Sequence, residues 1–370
     1  MSDSLDLAAI DARALVSLGD TTRLKLALAR ARRGERVTLG VIGGSITQGA
    51  KASVPELRWG ERVAAWWRST FPQAEVRFHN AGIGATGSLI AAHRVGALLA
   101  LAPDVVVVEF AVNDPNDDDA AESLEGLVRQ ILASPKAPAV MLLYTMNSMG
   151  GNAQEQHGRV ALRYGLPQVS FRDGLWPEVQ ASRLDWNQIE ADEVHPNDEG
   201  HGWCARFVIN AIAAVLERLP ADSSLPAKPR RLPSPLISDT YQRAQLLNRE
   251  RLTPLAVQGF REDLGAFGPC WMADEPGASI TFEVDGTALS ALFHRIKGDT
   301  GIATAQVDEW PPVDLVAWFD ADWGGYSAYE RLARDLPAGR HRLTITLTDR
   351  LPGSSAGHRF QLLGVLAAGR

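Results

Sequence analysis

Cysteine is nearly absent from this sequence: Cys204 and Cys270 are the only two in 370 residues. They form neither a disulfide framework nor a zinc-ligand spacing, so both read as free thiols in a reducing compartment. No apolar run is long enough to cross a bilayer. The opening residues, Met1-Ser2-Asp3-Ser4-Leu5-Asp6, lack the basic and apolar regions of a secretory signal. The expectation is therefore a cytoplasmic protein with no membrane partner. An excess of positive charge is also lacking. The net charge is −7 and is spread along the chain, which argues against nucleic acid as the main partner. No cluster has metal-ligand spacing, and Asp117-Asp118-Asp119 reads as a solvated helix start, so neither metal nor cofactor is expected. No repeat of solenoid period occurs.

Hydrophobic residues make up 45% of the sequence and charged residues 22%, enough for ordinary globular cores, and the length suggests two domains. Residues 1–35 read as a helical lead-in. Val37-Thr38-Leu39-Gly40-Val41-Ile42 is then a continuous apolar run that stops at Gly43-Gly44-Ser45. Such a run suits a parallel strand buried on both faces. A helix with Trp59, Val63, Trp66 and Trp67 at helical spacing follows, its aromatics read as core. Glu75 to His79 predicts a second strand, opening into the loop Asn80-Ala81-Gly82-Ile83-Gly84-Ala85-Thr86-Gly87-Ser88. Asp104 to Phe110 predicts a third strand, ending in Ala111-Val112-Asn113-Asp114-Pro115. A strand over 139–144, further helices and the segment Asp192-Glu193-Val194-His195-Pro196 complete an alternating α/β unit over 36–218.

Residues 219–235 carry Pro220, Pro226, Pro229, Pro233 and Pro235, a linker composition. Short strand-like runs then recur over 236–370: 279–284, 288–295, 303–307, 313–319, 341–348 and 360–367. Between the first two, Asp285-Gly286 reads as a hairpin turn. This pattern predicts a β-sandwich. Open strand edges in such a domain leave homo-oligomerisation open.

The chemistry sits at the carboxyl side of the sheet, where α/β proteins bind ligands. A serine hydroxyl is a poor nucleophile unless a base lies within hydrogen-bond reach. His195 is the candidate base, and Asp192, three residues earlier, can orient its ring. The backbone N–H groups of Ser45 and Gly84, with the side-chain amide of Asn113, are candidate oxyanion donors. Each element alone has a plainer reading: Ser45 as a capping residue, Asn113 as a helix cap. His79, His93 and His201 read as packed or surface residues, with a site role for His201 as the alternative. Asp114 reads as a residue that holds the Asn113 loop. The glycines at 82, 84 and 87 look superficially like a dinucleotide fingerprint, but they follow the second strand, and no acidic ribose partner is evident.

In the order and context of these blocks, the chain resembles the SGNH, or GDSL-like, hydrolase superfamily over about residues 36–217. Gly43-Gly44-Ser45-Ile46-Thr47 corresponds to the nucleophile block and Asn80-Ala81-Gly82-Ile83-Gly84-Ala85-Thr86 to the second block. Ala111-Val112-Asn113-Asp114 is the third, and Asp192-Glu193-Val194-His195-Pro196 the last. The resemblance implies a flavodoxin-like three-layer α/β/α domain with a mostly parallel sheet, followed here by the jelly-roll-like sandwich. It implies a triad of Ser45, His195 and Asp192. The family's usual Asp before the serine is Gly44 here, its common Gly before Asn-Asp is Ala111, and the Asp often found after the oxyanion glycine is Ala85. None of these removes a catalytic group.

Members of the superfamily hydrolyse carboxylic esters, and an appended sandwich resembles the arrangement in some carbohydrate esterases. The leading expectation is thus an O-acetylesterase acting on acetylated oligosaccharides. A general short-chain carboxylesterase is the alternative, and a non-catalytic carbohydrate-binding protein on a hydrolase scaffold is the alternative from another class. Trp310, Trp318, Trp323 and Tyr326 are candidate sugar-stacking residues, though filling the sandwich core or the contact between domains is the favoured reading for each.

Overall fold

One six-stranded sheet gathers the apolar runs of the first half of the chain. The computed structural model describes residues 5–220 and 231–369, in two units, 1–238 and 239–370. The strands are β1 (Leu15–Ser17), β2 (Val37–Gly43), β3 (Val76–Gly82), β4 (Val105–Glu109), β5 (Ala139–Tyr144) and β6 (Gln168–Ser170). Their order is β1-β6-β5-β4-β2-β3, parallel throughout except that β1 runs antiparallel to β6. Every residue of β2, β4 and β5 is buried, which is why their sequences show no polar alternation. From β2 the chain steps outward to β3, then returns to the other side of β2 as β4. This flavodoxin-like order reverses between β2 and β4, and the crevice at that reversal is where such sheets bind ligands.

The helices are α1 (Leu7–Ala14), α2 (Thr22–Arg32), α3 (Ser45–Gln48), α4 (Trp59–Thr70), α5 (Ser88–Leu99), α6 (Asp118–Ala133), α7 (Gln154–Tyr164), α8 (Phe171–Gln180), α9 (Trp186–Ile189) and α10 (Asp198–Glu217). Helices α1, α2, α4, α8 and α10 cover one sheet face, where Leu39, Val41, Val105, Val107 and Met141 meet Leu24, Leu28, Trp59 and Phe207. Helices α5 and α6 lie on the other face, against β2 and β5. The core reading of the α4 aromatics holds for Trp59 and Trp67, which are fully buried. Asp117 caps α6 by accepting the Ala120 N–H at 2.8 Å, as a helix start does.

The lead-in is not wholly helical. Its β1 adds to the open edge of β6, pairing Leu15 with Val169. Three residues are too few to show a strand period. Strand β3 also continues past His79 to Gly82, carrying the second motif block into the sheet. Of the expected linker, residues 221–230 lie outside the described residues. Residues 231–238 belong to the first unit: the Pro233 and Ser234 carbonyls accept from Arg129 and Arg163, and the Leu236 and Ile237 N–H groups donate to Glu125.

The second unit is a sandwich of two antiparallel sheets. One joins Tyr326–Ala333, Ala288–Arg295, Phe360–Ala368, Gly268–Ala273 and Arg261–Gly265 in that order, with Gln245–Leu247 also paired to Phe360–Ala368. The other joins Val313–Val316, Ile302–Val307, Arg340–Leu347, Ser279–Asp285 and Ala256–Gln258. Phe282, Ile345 and Leu343 from one sheet pack with Phe293, Phe360 and Trp271 from the other, the Trp271 and Phe282 rings lying 5.0 Å apart. Asp285-Gly286 closes no hairpin. The strands it joins lie in different sheets, so the pair carries the chain across the sandwich. Of the candidate stacking aromatics, Trp310 and Trp323 are exposed, Trp318 is half-buried, and Tyr326 is half-buried and packs against the sandwich core.

Candidate active site

The turn that carries Ser45 begins where β2 runs out. Gly44 opens α3, and Ser45 is the first helical residue, its side chain half-buried. A β-carbon on Gly44 would lie 2.3 Å from Asn113 Oδ1, so residue 44 can carry no side chain while Asn113 packs there. Ser45 Oγ lies 2.9 Å from His195 Nε2. On the far side of the ring, Nδ1 lies 2.9 Å from Asp192 Oδ2. The Val194 and His195 backbone N–H groups both donate to Asp192 Oδ1 at 2.9 Å. Burial pushes the Asp192 pKa up, but these N–H donors and the imidazole outweigh it and hold the carboxyl below its ordinary value. An ionised Asp192 favours the ring tautomer with its proton on Nδ1, which leaves Nε2 free to accept from Ser45.

The segment carrying Asp192 and His195 is a tight loop between α9 and α10. Ala191 N–H donates to the His195 carbonyl at 2.8 Å, and Asn197 N–H to the Ile189 carbonyl at 3.1 Å. Asp185 caps α9 with a capping box, and Asn197 caps α10 through the Glu199 and Gly200 N–H groups. Trp186 Nε1 donates to the Asp192 carbonyl at 2.9 Å. Glu190, at the base of this loop, is buried, and its Oε2 has no hydrogen-bond partner. Burial, with the nearby Asp192 charge, pushes its pKa up to about 9.

The expected oxyanion donors converge on the same turn. A β-carbon on Gly84 would stand 3.8 Å from Ser45 Cβ, and Asn113 lies against Gly44. Asn113 is half-buried, and its Oδ1 is buried with no hydrogen-bond partner. The Gly84 N–H is already engaged: it donates to Oε1 of Gln48, the last residue of α3, at 2.9 Å. Sequence reasoning had not singled out Gln48. The Gln48 amide thus occupies the Gly84 N–H in this structure.

Other residues brace these loops. Asn80 Nδ2 donates to the Thr47 carbonyl at 2.7 Å, and Asn80 Oδ1 accepts from the Gly82 N–H at 2.9 Å. Asp114 does hold the Asn113 loop, as expected. Its Oδ1 accepts the Ser88 N–H at 2.8 Å, and Oδ2 lies 3.0 Å from His157 Nε2. His201 is fully buried and structural: its Nε2 donates to the Ala50 carbonyl at 3.1 Å, and its Nδ1 accepts the Trp59 N–H. His93 is buried within α5, with Nδ1 bonded to the Leu89 carbonyl, and burial pushes its pKa down to about 4. Among the described residues no group of His, Cys, Asp or Glu could hold a metal ion.

Residues 41–203 match the model of the GDSL-like lipase/acylhydrolase family. Over nearly its whole length, the chain is similar to a two-domain esterase, CEX, active on acetylated mannans. The identity is 32%, the match covers 97% of this chain and 98% of that one, and the TM-score is 0.89. A second structure of a two-domain CEX esterase, co-crystallised with mannopentaose, matches over the same shares at 33% identity and a TM-score of 0.89. No curated protein matches the chain. By these matches the chain belongs to the GDSL-like lipase/acylhydrolase family and is an ester-hydrolysing enzyme.

Proposed function

We propose that this esterase removes O-acetyl groups from carbohydrates, acetylated manno-oligosaccharides foremost, through a Ser45–His195–Asp192 triad and an acetyl-enzyme. The observation that carries the substrate reading is the end-to-end likeness, both units included, to an esterase active on acetylated mannans. The 2.9 Å contact between Ser45 Oγ and His195 Nε2 supports the chemical route.

In that route Ser45 Oγ attacks the acetyl carbonyl carbon as its proton passes to His195 Nε2. The oxyanion takes up the backbone N–H groups of Ser45 and Gly84 and the Asn113 amide, with Gln48 moved aside. Collapse breaks the bond to the sugar oxygen, which receives the proton from His195. Water, deprotonated by His195, then attacks the acetyl-enzyme and releases acetate. In the second unit Trp323 is 63% exposed, with Phe319 at 5.0 Å and Tyr326 at 5.5 Å between ring centroids. An open aromatic face of this kind suits the apolar face of a sugar ring.

The test is acetate release from acetylated manno- and xylo-oligosaccharides by the purified protein, with Ser45→Ala as control. Release from the manno-oligosaccharides that the variant lacks supports the reading. Equal release by both proteins removes the role of Ser45. Turnover of simple acetyl esters with none on acetylated sugars favours a general short-chain carboxylesterase instead.

A further inference from the structure

Beneath the nucleophile turn lies a carboxyl that takes no part in this chemistry. Glu109 is the last residue of β4, in register with Gly43 of β2, and it is fully buried. Thr47 Oγ1 donates to its Oε2 at 2.9 Å, and Thr145 Oγ1 to its Oε1 at 2.7 Å. Thr47 stands two residues after Ser45 on α3, and Thr145 directly follows β5. A β-carbon on Gly43 would come within 2.1 Å of Thr47 Oγ1 and 2.5 Å of the Glu109 carbonyl oxygen. The Thr47–Glu109 contact thus needs glycine at position 43.

The bonds run on from both threonines. The Thr47 carbonyl accepts from Asn80 Nδ2 at 2.7 Å, joining the turn to the loop that carries Gly84. The Thr145 carbonyl accepts from Asn152 Nδ2 at 2.7 Å. Within the loop so closed, the Ser148 N–H donates at 2.8 Å to the carbonyl of Glu193, between Asp192 and His195. One carboxyl therefore joins the turn that carries the serine to the loop that meets the His195 segment. A fully buried carboxyl is a poor way to gain stability, because apolar groups of like shape often serve as well or better. What it supplies is two directed bonds that fix where Thr47 and Thr145 stand.

We propose that Glu109 is a positioning residue: its carboxyl locks Thr47 and Thr145 so that the α3 turn holds Ser45 in line with His195. This rests on Ser45 being the nucleophile.

The test uses the full chain with Glu109→Gln, Glu109→Ala, Thr47→Val and the double variant Glu109→Ala/Thr47→Val. It measures kcat and KM on 4-nitrophenyl acetate, the rate of inactivation by an organophosphonate, and the melting midpoint. Glu109→Ala should lower kcat and the inactivation rate by roughly 30-fold or more while KM stays within about threefold. Glu109→Gln should stay within about fivefold of the parent, because an amide accepts from one threonine and donates to the other. Thr47→Val should lower kcat about tenfold, and the double variant should be no slower than the slower single one, since both break one connection. Folded Glu109→Ala with kcat within about threefold of the parent, Glu109→Gln as slow as Glu109→Ala, or losses that multiply would each overturn the proposal. Should Glu109→Ala fail to fold, Thr47→Val decides alone, and a kcat within about threefold of the parent overturns it. A parent protein that the phosphonate does not inactivate sinks the nucleophile reading itself, a result distinct from all of these.

Discussion

The five residues of the proposed site could be named from sequence because the chemistry proposed for them tolerates few substitutes. The serine, the imidazole, a carboxylate three residues before it, a glycine N–H and an Asn amide each stand in a short block, at strand ends or in a loop. Gln48 and Glu109 could not be named so. Each acts on a partner distant in sequence, Gly84 for one and Thr47 and Thr145 for the other. A polar residue gives no sign in one dimension of which partner it will meet. Gln48→Ala frees the Gly84 N–H and should raise kcat/KM on a small acetyl ester by about two- to fivefold, within the worth of one hydrogen bond. A fall of tenfold or more would show that the amide helps build the site rather than filling it. Asp192→Asn replaces a charged acceptor with a neutral amide that can donate to His195 Nδ1, and should lower kcat by roughly 10³-fold or more with little change in melting midpoint. Steady-state kinetics beside a thermal melt separates the two effects.

At the level of the element, the turn at Gly44 sets Asn113 directly beside the start of α3. Gly44→Ala would drive a β-carbon into the Asn113 amide. It should cost roughly 10²-fold in kcat, the scale of losing one oxyanion donor; kinetics with a near-normal rate would mean that Asn113 lies outside the oxyanion site. The loop between α9 and α10 carries a different liability. Glu190 is ionised above pH 4.5 in the unfolded chain but keeps its proton up to about 9 in the folded one. The unfolded state therefore binds fewer protons in that window, and stability falls as pH rises through it. Glu190→Gln removes this dependence, so the variant's melting midpoint relative to the parent should climb between pH 5 and pH 8.5. The predicted difference is on the order of a few kcal/mol across the window. A pH-independent difference would mean that Glu190 titrates normally. Sequence patterns captured α4 and β5, because buried positions recur along each. They missed β1 and the last residues of β3. The first is short and held only by pairing with β6, and the second consists of Asn-Ala-Gly, whose strand geometry comes from its neighbour β2.

Across the whole molecule, the alternating α/β unit and the all-β unit were both legible, because the period of burial differs so plainly between them. What sequence could not supply was the path through the sandwich, where Asp285-Gly286 passes between sheets. Pairing partners there are chosen by packing around Phe282 and Phe293 and not by the turn residues. Nor could it show which aromatics stay outside. If Trp323 meets sugar, Trp323→Ala should raise KM for acetylated manno-oligosaccharides about three- to tenfold, the worth of one stacked ring, and leave KM for 4-nitrophenyl acetate unchanged. Equal KM values for parent and variant on both substrates would assign Trp323 no part in recognition.

The most direct test of the account is mass spectrometry of the protein quenched in acid within the first turnovers on an acetylated manno-oligosaccharide. The account predicts one added acetyl group on the peptide that contains Ser45, absent in Ser45→Ala and accumulating in a variant slowed at deacylation. Acetate released at full rate with no acetyl group ever found on Ser45, in the parent or in such a variant, would contradict it.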